Sequence, residues 1–255
     1  MSSVPVASTP RGIVCADSAT FAGRHFFIGL AVLLALIVFI GFAPTFYLRA
    51  LFGAPELSSL LVLHGIVFSM WIVLLIAQTL LIRAAQVRVH RALGVAGALL
   101  AVAMVLLGAK VALVAAAQGT IGARFNAPPL EFLIVPLGQV VLFAALIAVA
   151  IALRRRPAVH KRLMILATIQ LIAPAAVRAA DVVFHVATPL SGLVVLGVLL
   201  AACIGHDLLT RGRVHPVFAI VGPVTLLSFP LRIAFSHTAA WHAAAQWLVH
   251  VGAGL

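Results

Sequence analysis

Seven long stretches of the chain are apolar almost without interruption, at roughly 26–49, 58–82, 92–117, 131–153, 161–186, 189–210 and 215–237. A helix needs about 20 mainly apolar residues to cross the hydrocarbon core of a bilayer, so each stretch predicts a spanning helix. The stretch 239–252, at about 14 residues, is too short to span. Its Trp241 and Trp247 suit a helix lying at the membrane interface, where an indole ring can be half wet. The expected fold is therefore all-α: a polytopic membrane protein of seven transmembrane helices plus a short C-terminal interfacial helix. In domain terms this gives a flexible cytoplasmic tail at 1–24, a seven-helix transmembrane domain at 25–238, and an interfacial segment at 239–255 on the outer face. The tail is rich in Ser, Pro, Ala and Thr and has no apolar core, unlike a cleavable signal peptide, so the first apolar run reads as an uncleaved anchor.

Prolines interrupt the fourth stretch (Pro136), the fifth (Pro174) and the seventh (Pro223 and Pro230). A proline removes one helical hydrogen bond and clashes with the carbonyl four residues back. Pro174 should free the carbonyl of Gln170 and bend the fifth helix.

Composition agrees with the pattern. Hydrophobic residues make up 64% of the 255, where soluble domains hold about half, and the mean hydropathy is +1.25. The formal charge of +12 would suit nucleic acid if it lined one polar face, but it does not. The cations cluster in short loops: Arg83, Arg88 and Arg91; then Arg154, Arg155, Arg156, Lys161 and Arg162; then Arg211 and Arg213. These loops share a side with Arg11 and Arg24, while the opposite loops carry only Arg49 and Arg124. This asymmetry puts the N-terminus in the cytoplasm and the C-terminus outside, with no nucleic-acid partner. Cys15 and Cys203 form no CxxC or metal-type spacing and read as free thiols. The strings VHRALG (89–94) and VHKRLM (159–164) each follow a basic turn and open an apolar run, a weak repeat consistent with duplicated hairpins.

Candidate chemistry comes from polar residues inside the apolar runs. His64, Lys110, Arg178 and Arg232 all fall roughly 7 to 12 Å in from the outer ends of their helices, at 1.5 Å per residue. Asp181 and His185 continue that layer outward, and Arg124, Glu131, Ser236, His237 and His242 lie at its rim. Arg178, Asp181 and His185 share an arc of about 60° on one helix face. His64, Trp71 and Gln78 are spaced by sevens, which puts them on one side of the second helix.

Pairing Arg232 with Asp181, and Lys110 or Arg178 with Glu131, leaves one cation over in the layer. Two readings follow: a cavity open to the outside that accepts a carboxylate, phosphate or haem propionate, or an ion-pair lattice locking helices three, five and seven. In the first, Arg178, Arg232 and Lys110 are the anion-binding residues. The histidines of the layer allow a bis-imidazole haem pair or a zinc site. His64, His185 and His237 are the candidate metal ligands, with Asp181 orienting His185. Interhelical hydrogen bonding is the structural alternative for each histidine. His90, His160, His206 and His215 sit at helix ends beside Arg or Lys, where capping and headgroup contact account for them. His242, Gln246 and His250 form a stripe on the terminal segment, facing either the cavity mouth or water.

The strings QTLLIRAAQVRVHRALG (78–94) and RRRPAVHKRLMILATIQLIAPAAVRAAD (154–181) resemble the paired "HRxLG" and "HKRLM" helix starts of uncharacterised bacterial seven-span membrane protein families. These are similar in outline to membrane cytochromes of the b561 and ferric-reductase type and to oxidase-assembly proteins. The resemblance implies a bacterial inner membrane, haem binding, and electron transfer or respiratory-complex assembly; together with the histidine reading, the expected cofactor is haem b or a divalent metal such as zinc or copper. The paired in-helix histidines of the two-haem cytochromes are missing from this chain. A looser likeness is to seven-helix zinc hydrolases of the ceramidase and progestin-receptor type, in which a histidine on helix two joins two on helix seven. His64 fits that pattern, while His237 and His242 are spaced too far apart for it.

The functional expectation is thus an outward-facing polar cavity that holds haem or a metal in redox or assembly work. The alternatives are a zinc-dependent lipid hydrolase or transferase, and a non-catalytic carrier or scaffold for an amphipathic anion. Expected partners are the lipid bilayer, an anionic amphipathic ligand, and either a second copy or a membrane-complex subunit.

Overall fold

A computed structural model describes residues 11–253. Helix α1 (Arg11–Phe42) continues through a wide π turn (Ala43–Tyr47) and is followed by α2 (Ser59–Arg83) and α3 (Val87–Ala117). A single 3-10 turn (Ala123–Phe125) leads to the short α4 (Pro129–Phe132), then α5 (Ile134–Ala152), α6 (Pro157–Leu171) and α7 (Ala173–Phe184). The chain ends with α8 (Pro189–Arg211), a π turn (Val217–Val221), α9 (Gly222–Ser236) and α10 (Ala239–Ala253). No strand occurs among the described residues.

Six stretches are long and apolar enough to cross a membrane: His25–Tyr47, Ser59–Arg83, Val87–Ala117, Pro129–Ala152, Pro189–Arg211 and Val217–Ser236. Helices α6 and α7 pass the same test together but meet at a 54° bend, so they make a seventh span if the bent pair is counted as one. Where the sequence predicts one kinked helix over 161–186, the chain forms two. The physical reason is Pro174, which stands in the first turn of α7 and cannot donate to the carbonyl of Gln170. Helix α1 begins at Arg11, inside the stretch expected to be tail; residues 1–10 and the Cys15 side chain lie outside the described residues.

Local chemistry sets the ends. The Ser58 hydroxyl accepts from Leu61 N at 3.4 Å to start α2, and Thr188 accepts from Ser191 N at 3.1 Å to start α8, as expected of N-caps. Prolines open α4, α6 and α8, where the missing N–H has no helical partner to lose.

The core runs between α1, α2, α3, α5, α6, α7, α8 and the π turn Val217–Val221, with Leu34, Met104, Phe143, Leu166, Ile169 and Phe218 fully buried. Trp71 crosses it and donates from Nε1 to Thr168 Oγ1 at 3.1 Å, so the one polar edge of the ring is satisfied. The outward faces are apolar as well: Leu99, Val141, Val198 and Leu231 are all exposed. On water-facing helices these would be an aggregation liability; on helices of spanning length they suit lipid.

Helix α10 packs on α3, α4 and α9. Trp241, expected at the interface, turns into the protein instead: it is buried with Ala245 in a second small core of Ala112, Ala116, Leu133 and Ile134, and its Nε1 donates to Leu130 O at 2.8 Å. Trp247 is exposed.

Candidate anion-binding cavity

Two polar assemblies lie at opposite ends of the bundle. At the end with the basic loops, Arg162 of α6 and Asp207 of α8 form a buried bidentate ion pair, with Nε at 3.0 Å from Oδ2 and Nη2 bonded to Oδ1. The same carboxylate accepts from His215 N at 3.1 Å, and Arg162 also donates to Ala158 O at 2.9 Å and lies over the Phe218 ring. Three elements are pinned to one carboxylate. Burial, together with the positive charges of Arg162 and Arg211, holds the imidazole of His215 below its ordinary range. Its neutral Nδ1 accepts from Val217 N at 3.2 Å. Sequence reasoning missed this pair by assigning Arg162 to topology and His215 to capping alone. The available signal was Asp207, the sole acid in its apolar run, which requires a cation nearby.

At the other end, a cavity of about 320 Å³ opens where the helices are broken by proline. Its walls come from the loop 120–125, from Phe132 to Gln139, from the α6/α7 break, from α8 and from α9. Pro136 and Pro174 line it directly, and so do Gln139 and Gln170. The carbonyl of Gln170, which Pro174 frees, is taken by the side-chain amide of Gln139, and the Gln170 amide returns a bond to Gln139 O at 3.1 Å. This reciprocal clamp holds the broken helix against α5 and keeps the cavity floor satisfied.

Three arginines line the cavity, Arg124, Arg178 and Arg232, and no carboxylate does. Arg124 is paired with Asp181 at 2.7 Å, with the two side chains 38% and 35% exposed. Arg232 crosses to α5, donating from Nη1 to Val135 O at 2.6 Å and from Nε to Ser228 O at 3.1 Å. It can lie there because residue 138 is glycine, where a Cβ would run into the Arg232 side chain. Arg178 stacks its guanidinium over Phe42, 5.1 Å from the ring centroid. Among the described residues no protein group accepts a hydrogen bond from it.

These positions revise the expected pairings. Asp181 binds Arg124 rather than Arg232. Glu131 binds His237 Nδ1 at 3.0 Å and lies 3.8 Å from His242 Nε2, rather than meeting Lys110 or Arg178. Of the three candidate anion-binding residues, Arg178 and Arg232 line the cavity; Lys110 instead reaches the C-terminal helix, donating to Gly252 O at 3.3 Å.

The candidate metal ligands also separate. His64 stacks on Phe68 at 4.0 Å, away from the cavity lining, with an enclosed Nδ1 that makes no hydrogen bond among the described residues. His185 is exposed, caps α7 in the left-handed conformation, φ 55°, and is not among the residues that line the cavity. His237 belongs to the Glu131 cluster. Among the described residues no three His, Cys, Asp or Glu side chains come together as a metal ion requires, so His64, His185 and His237 are not assembled into one site. The cavity itself carries no imidazole, thiol or thioether, the donors that an axial ligand to haem would need. Its donor set suits an anion.

Comparison of the chain with protein-family profiles, with curated proteins and with solved structures finds no match.

Proposed function

We propose that the protein is a membrane-embedded binding protein or carrier for an amphipathic anion, held by Arg178 and Arg232 in the cavity between α5, α7, α8 and α9. In this reading the bent pair α6/α7 is one span of seven in a bacterial cytoplasmic membrane. The N-terminus is cytoplasmic, and α10 lies at the outer end against α3, α4 and α9. The loop charges support that orientation.

The observation that carries the reading is Arg178. A guanidinium has five N–H donors and stays charged. Inside a spanning segment such a group normally pairs, snorkels or lines a pathway. Here it faces a cavity with one aromatic ring behind it, and the nearby acid, Asp181, is held by Arg124. Most of the remaining wall is apolar, with Val177, Leu196, Leu226 and Phe229 among it, as a hydrocarbon chain attached to the anion would require.

The test is binding of dodecyl sulfate, an anion with a chain, to the purified full chain in non-ionic detergent. Arg178→Gln is expected to weaken binding by about 10- to 100-fold, the loss of a hydrogen bond to a charged group, with the thermal unfolding temperature of the unliganded protein little changed. Equal affinity in wild type and variant would refute the assignment.

A further inference from the structure

We infer that the headgroup this cavity accepts is a dianion, a phosphate monoester carried on a hydrocarbon chain. The inference rests on the anion reading above and adds the charge of the ligand to it.

The charges around this one cavity do not balance. The lining holds three guanidiniums and no carboxylate. Asp181, 2.7 Å from Arg124, is the one acid whose charge also reaches Arg178, so three guanidiniums share a single carboxylate and two positive charges are in excess. None of the packed elements supplies a further acid to the lining. Helix α1 brings Phe42 against Arg178, α8 contributes Pro189, Gly192, Leu193 and Leu196, and the lining residues of α9 other than Arg232 are uncharged. Glu131 is engaged by His237 and His242. Two excess guanidiniums facing a cavity at membrane depth are matched by two negative charges; one would leave a cation without a counter-charge.

Hydrogen-bond capacity agrees. Arg178 gives its five donors to no protein acceptor among the described residues. Arg232 uses Nε and one Nη1 hydrogen on Ser228 O and Val135 O and holds Ser228 Oγ only at 3.5 Å. Three phosphate oxygens can accept from both guanidiniums at once, and planar guanidiniums bind phosphate in bidentate fashion. The apolar walls favour a chain-bearing phosphate over the free ion.

A phosphate monoester changes from monoanion to dianion near pH 6, while an alkyl sulfate remains a monoanion, so the two isolate the second charge. The experiment titrates the full chain in non-ionic detergent with dodecyl phosphate and with dodecyl sulfate at pH 5 and pH 8, reading affinity by thermal shift. The sulfate series controls for titration of the protein's own groups near the mouth, Asp181, Glu131, His237 and His242. Dodecyl phosphate is expected to bind about 10-fold or more tightly at pH 8 than at pH 5, and to exceed dodecyl sulfate at pH 8 by about the same factor, the contribution of one further charged hydrogen-bonded pair. Sulfate affinity should be flat. In Arg232→Gln the preference for phosphate should vanish while sulfate binding persists.

Equal affinities for the two ligands without pH dependence would overturn the dianion and leave the anion reading standing. No binding of either ligand would overturn both. Inorganic phosphate displacing dodecyl sulfate as effectively as dodecyl phosphate does would overturn the chain-bearing ligand. The wild-type comparison decides the matter even if Arg232→Gln fails to fold.

Discussion

Replacing Asp207 with Ala is expected to destabilise the protein by about 3–5 kcal/mol, the cost of leaving a buried charge without its partner. The side chains of Arg162 and Asp207 are 3% and 0% exposed, so water cannot stand in for the lost carboxylate. The loss extends beyond the pair: His215 N also loses its acceptor, and the turn before α9 is no longer tied to α8. The double variant Arg162→Met, Asp207→Leu removes the charge as well as its partner and should be more stable than Asp207→Ala alone, because apolar groups of similar volume often replace buried ion pairs at little cost. Reversible unfolding in mixed micelles measures both. A single variant within about 1 kcal/mol of wild type, in the range of a surface pair, would show that water or lipid headgroups reach Arg162.

The second large effect is expected at Gly41. Helix α1 lies along α7, and a Cβ at residue 41 would collide with the backbone carbonyl oxygen of Ala175. Backbone in a packed helix cannot step aside as a flexible side chain can, so Gly41→Ala should cost about 3 kcal/mol, the upper end of overpacking. The same substitution at Gly29, on the same helix, meets nothing within 4 Å and should be neutral or stabilising by up to about 1 kcal/mol through helix propensity. The contrast separates close packing from glycine chemistry in general. Because α7 carries Arg178 and α1 carries the Phe42 beneath it, Gly41→Ala should also weaken binding of an anionic amphiphile, whereas Gly29→Ala should not. Matching unfolding curves for the two variants would contradict the close α1–α7 contact.

Hydropathy located the helices well because it depends only on the solvent outside. The runs predicted at 58–82 and 189–210 emerge as Ser59–Arg83 and Pro189–Arg211. Proline chemistry was equally legible: Pro174 breaks the chain where it should and frees the Gln170 carbonyl. That Gln139 is the group to meet it was not legible, because the register of α5 against α6 is a packing choice between two apolar surfaces with little pattern on them.

The same limit explains the ion pairs. Depth along the membrane normal put Arg178, Arg232, Asp181 and Glu131 in one layer, but depth says nothing about direction around each helix. Asp181 found Arg124 from the loop, and Glu131 found two histidines. His185 does not join the cavity lining: α7 ends one residue before it. The pair missed altogether, Arg162 with Asp207, was hidden by position: a cation inside a basic cluster satisfies the topology rule so readily that nothing further is asked of it.

What touches Arg178 in a bilayer decides whether the cavity holds an anion. An experimental density map of the full chain in lipid nanodiscs, refined well enough to resolve the guanidinium, tests it most directly. Density for an anionic headgroup is expected within hydrogen-bonding distance of Arg178, with a chain running along Val177 and Phe229. A map showing the Arg178 guanidinium on a protein carboxylate, or turned out to the membrane surface with only water in the cavity, would contradict it.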